Sequence, residues 1–150
     1  MRIYLAVMDE TEEAKTALRF ASLRAVKTGG SVHILALVPM QTFNAFGGVQ
    51  ATIEQEARER AEVMANSAAG SIFGEMGKMP VITVRPGAAV DVVRQYLDDH
   101  EEVAALVLGV GLDGGPGPLV SHFTARANEL PCPLYLIPGN LTRERMDELA

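Results

Sequence analysis

The stretch ALVLGVGLDGGPGPLVS (105–121) carries G-x-G-x-x-G at Gly109, Gly111 and Gly114, directly behind an apolar run. Glycines at this spacing suit an anion cradle, because a chain without Cβ atoms turns tightly and can aim several N–H groups at phosphate oxygens. A dinucleotide fingerprint asks for more. It should open the first βα unit, its third glycine should lead into the helix, and an acid should end the next strand. Here the motif sits late in the chain, Gly114 is followed by GPGP, and the next apolar run, PLYLIPG, ends in Pro138 and Gly139. A P-loop fails as well, since no G-K-[ST] follows the glycines.

Other residues could also do chemistry. Asp9, at the end of the first apolar run, can cap a helix or meet a ligand. Ser121 stands beside His122, but neighbours on a helix diverge, and no His–acid relay supports a nucleophile. His33 and His100 read as surface or edge residues. The histidines are scattered and Cys132 is alone, with no H-x-x-x-H or C-x-x-C, so no metal site and no disulfide framework are expected. Cys132 between two prolines reads as a turn thiol. The FNAFGG segment (43–48) sets two phenylalanines beside glycines, which suggests either a flap or a ligand lid.

The elements that must position these residues alternate along the chain. Apolar runs at 3–8, 31–39, 80–86, 103–109 and 133–138 read as strands. Between them, helical periodicity appears from Thr11 to the TGG at 28–30, over 51–77, from Ala89 to Leu97, and from Pro118 to Leu130. In the second helix, Ala57, Ala61, Met64, Ala68 and Ile72 mark the expected buried stripe. Near-continuous apolar strands separated by amphipathic helices imply a doubly wound α/β layer around a parallel sheet. Such sheets bind ligands beyond the strand C-termini at the switch point of strand order. The chain divides into a domain over 1–138 and a polar tail over 139–150 that reads as a short, frayed helix.

With 150 residues, 48% of them hydrophobic and 21% charged, the chain has the length and composition of one ordinary globular domain. Its net charge of −6 and lack of a basic stripe argue against nucleic acid as a partner. No apolar run approaches membrane-spanning length, and the N-terminus lacks a secretory pattern, so the expected location is the cytoplasm.

Four stretches in order and at matching spacing resemble the universal stress protein family: IYLAVMDETEEAKTAL, SVHILALVP, VRPGAAVDVVRQYL and SHFTARANELPCPLYLIP. The resemblance spans roughly residues 2–138. It implies an adenine nucleotide alpha hydrolase-like fold, a five-stranded parallel sheet of order 3-2-1-4-5 with helices on both faces. It also implies a homodimer through strand 133–138 and, as in many members, ATP or AMP as ligand, with magnesium beside ATP. By position, Asp9 would face the adenine or ribose and Leu37 would offer backbone groups to the adenine edge. Val7 and Leu108 would flank the base, and Gly109, Gly111 and Ser121 would lie near the phosphates.

The departures weaken that site. The nucleotide-binding members carry G-x-x-G, nine further residues, and G-S or G-T. Here Leu112 replaces the second glycine, Val120 precedes Ser121, the loop is about two residues shorter, and Ala105 stands where an acid is usual. Pro116 and Pro118 have no N–H to donate, and no Lys or Arg occurs from Gln95 to Ala125. Two functions therefore stay open. One is a regulatory stress-response module responding to an adenine nucleotide at a weakened site; the other is a nucleotide-independent stress or interaction protein with a decayed loop. A slow ATP hydrolase ranks third, since no base, nucleophile or cation stands in place.

Overall fold

Each apolar run is a strand: β1 (Ile3–Met8), β2 (Ser31–Val38), β3 (Val81–Pro86), β4 (Val103–Val110) and β5 (Leu134–Pro138). All pair in parallel, in the order β3-β2-β1-β4-β5. The intervening helices are α1 (Glu12–Thr28), α2 (Gly47–Met76), α3 (Ala89–Asp99) and α4 (Pro118–Ala125), and α5 (Arg143–Leu149) follows the last strand. The structure, a computed structural model, describes residues 1–39 and 47–150. Residues 43–46 of the segment read as a lid lie outside the described residues.

The two-residue period of a strand divides the core into two layers. Tyr4, Ala6, Met8, Ile34 and Ala36 pack under α1 and α2. Leu5, Val7, Leu35 and Leu37 pack against α3 and α4. Helix α1 starts where expected, because Thr11 accepts the Ala14 N–H at 3.3 Å while Glu12 and Glu13 occupy the first turn. It ends at Gly29, which takes the left-handed conformation at φ 68° and donates to the last carbonyls.

Local readings shift in three places. The innermost stripe of α2 is Ala57, Ala61, Ala65 and Ala69, with Met64, Ala68 and Ile72 only partly covered. Helix α4 stops at Ala125 because Arg126 leaves helical geometry (φ −125°, ψ 29°), and a single 3-10 turn over Ala127–Glu129 follows. The tail carries a docked helix rather than a frayed one. Thr142 accepts the Arg145 N–H at 3.2 Å, Lys27 Nζ donates to the Asp147 carbonyl at 2.7 Å, and Met146 is 3% exposed.

His33 is also corrected: it is buried, because β2 is covered on both faces. Its Nδ1 lies 2.7 Å from the Tyr96 hydroxyl, and the His100 ring stacks on Tyr96 at 3.9 Å. Burial lowers the His33 pKa below the usual histidine value; neighbouring His100 lowers it further and Glu102 opposes. Thr83 and Arg85 complete the polar surroundings on the Tyr96 side. A base whose folded pKa is depressed binds protons more readily when unfolded. Its contribution to stability is complete above about pH 6.5 and is lost as pH falls through the lowered value. The melting temperature should therefore drop between pH 7 and pH 5, and drop less in His33→Gln; equal drops would exclude this source.

Candidate binding crevice at the switch point

Strand β1 has β2 on one side and β4 on the other, so the chain leaves its carboxyl end and that of β4 in opposite senses. A crevice opens there. Its floor is Val7, Leu37 and Leu108, all buried; Asp9, Thr11 and Glu13 form one wall, and Pro116 to Val120 the other. Its volume is about 110 Å³, below the roughly 300–1,000 Å³ usual for a small-molecule pocket.

Asp9 is half-buried and held in place. Its Oδ1 accepts from the Thr11 N–H at 2.9 Å and from the Thr11 hydroxyl at 2.5 Å. The same hydroxyl oxygen caps α1, so the carboxylate braces the cap instead of serving as the cap itself. Asp9 thus joins the entry of α1 to the crevice wall.

Gly109 lines the crevice, but its lack of a side chain has another cause. A Cβ there would run into the backbone carbonyl of Glu13 in the first turn of α1. Gly111 turns away: its N–H donates to the Pro116 carbonyl at 3.0 Å, closing the loop on itself, and a Cβ would meet the Gly115 carbonyl at 2.7 Å. Gly114, Gly115 and Gly117 take positive φ of 76°, 98° and 105°, which the short turn requires. Ser121 is exposed on α4, and neither it nor Gly111 is among the residues forming the crevice. The structure thus brings together Val7, Asp9, Leu37, Leu108 and Gly109, and leaves Gly111 and Ser121 outside.

Sequence reasoning missed Glu13 as a wall residue. Its position two residues after the Thr11 cap, in the first turn of the helix that follows Asp9, was the available signal. Together with Asp9 it makes the crevice acidic, and its lining includes no cation. Proline at the first turn of α4 removes one of the N–H groups that a helix N-terminus would offer. The surface therefore suits a neutral or apolar guest better than a phosphate. Cys132 is half-buried and burial raises its thiol pKa, which disfavours the reactive thiolate. Among the described residues there is no cluster of His, Cys, Asp and Glu able to hold a metal, and no helix long and apolar enough to cross a membrane.

Solved structures share this architecture. The fold is that of the universal stress proteins. Universal stress protein UspA from Lactobacillus plantarum superposes with TM-score 0.77 at 17% identity, over 91% of this chain and 97% of its own. A universal stress protein family protein from Burkholderia pseudomallei gives 0.70 at 14% identity, over 91% and 95%. A universal stress protein family protein from Arabidopsis thaliana, solved with AMP bound, gives 0.56 at 19% identity, over 98% and 99%. No protein-family model and no curated protein matches the sequence.

Proposed function

We propose that this chain is a universal stress protein family member acting in the cytoplasm as a regulatory stress-response module, with the adenosine part of an adenine nucleotide as its ligand. One observation carries the reading. The Asp9 end of β1 and the Gly109 end of β4 meet over an apolar floor of Val7, Leu37 and Leu108. The AMP held by the Arabidopsis protein of the same fold supports it. In this reading Val7 and Leu108 flank the base, Leu37 offers backbone groups to its edge, and Asp9 accepts from ribose hydroxyls. Phosphates would extend past Gly109 toward Gly111 and Ser121, with magnesium needed to offset Asp9 and Glu13 when ATP is the ligand.

The acidic wall sets a testable order. Calorimetric titration should give adenosine and AMP measurable affinity, with metal-free ATP at least about tenfold weaker, a difference near 1.4 kcal/mol. Magnesium should narrow the gap. Metal-free ATP binding as tightly as adenosine would refute the charge argument. Flat titrations with every ligand would favour a second reading, a nucleotide-independent interaction protein. That reading draws on the small crevice volume and on the Gly111–Pro116 bond that folds the loop inward.

The same proposal includes a homodimer through residues 133–138. Among the described residues, strand β5 pairs only with β4, and Leu136 on it is 41% exposed. A parallel-sheet edge with an exposed leucine gains from being covered. Light scattering should give twice the 16.1 kDa chain mass at micromolar concentration, and Leu136→Lys should give the single-chain mass. A wild-type monomer would remove this part.

A further inference from the structure

A broad concavity lies on the opposite face of the sheet from the switch-point crevice. Helix α1 covers β1, β4 and β5, helix α2 covers β2 and β3, and residues of both line a cleft of about 610 Å³. Its volume falls within the roughly 300–1,000 Å³ of small-molecule sites. The floor is apolar, formed by Met8, Leu18, Met64, Ile72 and Met76. The segment after β5 closes one side with Leu141, Arg143 and Met146. That segment is fixed against α1, as Thr16 Oγ1 donates to the Gly139 carbonyl at 3.2 Å.

The charged groups gather at one mouth. Arg19 Nη1 lies 2.6 Å from Glu75 Oε2, and Arg143 Nη2 lies 3.9 Å from Glu75 Oε1. One carboxylate therefore serves two guanidinium groups. The remaining ionic residues in the lining, Glu12 and Lys15, pair with each other at 3.2 Å. Arg19 Nε is buried without a hydrogen-bond partner, the one such side-chain atom among the described residues. The cleft thus joins an apolar floor to three cations, Lys15, Arg19 and Arg143, set against two carboxylates, Glu12 and Glu75. The switch-point crevice is the reverse, small and lined by two carboxylates.

We propose that the α1–α2 cleft is a binding site for a small amphiphile with one carboxylate head, the head at Arg19 and Arg143 and the apolar body over the methionine floor. Guanidinium groups bind carboxylate with matched, paired donors, and methionines adapt to flexible apolar chains. The site is independent of nucleotide binding.

Octanoate is the probe, with 1-octanol as the neutral control, each titrated by calorimetry. Octanoate should bind saturably at one site per chain, and octanol at least about fivefold more weakly. Arg19→Met keeps the aliphatic stem and should weaken octanoate about fivefold; Arg143→Gln should weaken it about threefold. Ser71→Trp, at an exposed position on the cleft wall, should block binding while circular dichroism shows wild-type helix content. Saturating adenosine should not displace octanoate. The proposal is overturned by absence of saturable octanoate binding in the millimolar range, by octanol binding as well as octanoate, or by either arginine variant binding as wild type does.

Discussion

Replacing Gly109 with alanine is expected to lower the melting temperature by roughly 6–12 °C, the shift that about 3 kcal/mol produces in a domain of this size. The reason is space rather than backbone freedom. Gly109 lies within β4 and is not among the glycines with positive φ. Its added methyl would strike the carbonyl of Glu13, an atom fixed in the first turn of α1 that cannot rotate aside as a side chain end could. Either β4 separates from α1 or the helix entry moves, and both alternatives disturb Thr11 and Asp9. Gly74→Ala in α2 is the control. Nothing lies within 4 Å of a Cβ there, so relief of glycine's entropy cost should raise stability by about 0.5–1 kcal/mol. Thermal melts of the two variants should move in opposite directions. A Gly109→Ala protein as stable as wild type would mean the contact is soft.

Asp9→Ala should weaken adenosine binding about thirtyfold, equivalent to the roughly 2 kcal/mol of a hydrogen bond to a charged acceptor. It should also lower stability by about 1 kcal/mol, because Thr11 would lose the acceptor that orients its capping hydroxyl. The two effects can be separated. Thr11→Val removes the hydroxyl while leaving the carboxylate, so it should reproduce the stability loss with a much smaller change in affinity. If Thr11→Val costs as much affinity as Asp9→Ala, the carboxylate acts by positioning α1 and not by meeting the ligand. If Asp9→Ala binds adenosine as wild type does, Asp9 has no part in recognition.

The strand–helix alternation, and with it the switch point, was legible because fully covered strands leave no polar face. Runs such as IYLAVM and VAALVLG need no knowledge of distant contacts to be recognised. The floor residues Val7, Leu37 and Leu108 came instead from the resemblance to the universal stress proteins, carried over by position. The glycines were harder. Spacing marks Gly109 as a place of close approach but not what approaches, and Glu13 comes from almost a hundred residues earlier in the chain. His33 was misread for a related reason: burial of a polar side chain depends on a partner, Tyr96, supplied by α3 packed on the same face of the sheet. The docked tail rests on Met146 and Ala150 amid charged neighbours, too weak a periodic signal to distinguish an anchored helix from a solvated one.

Strand β1 lies in the middle of the sheet, with its neighbour β2 close behind it in sequence and its neighbour β4 beginning only at Val103. During synthesis at about 5–20 residues per second, the nascent chain exposes one raw hydrogen-bonding border of its central ribbon for several seconds. Its second border is sheathed only after the ribosome has added α2, β3 and α3. Translation speed across that interval, and any chaperone engaging the emerging chain, therefore bear directly on the yield of correctly assembled protein.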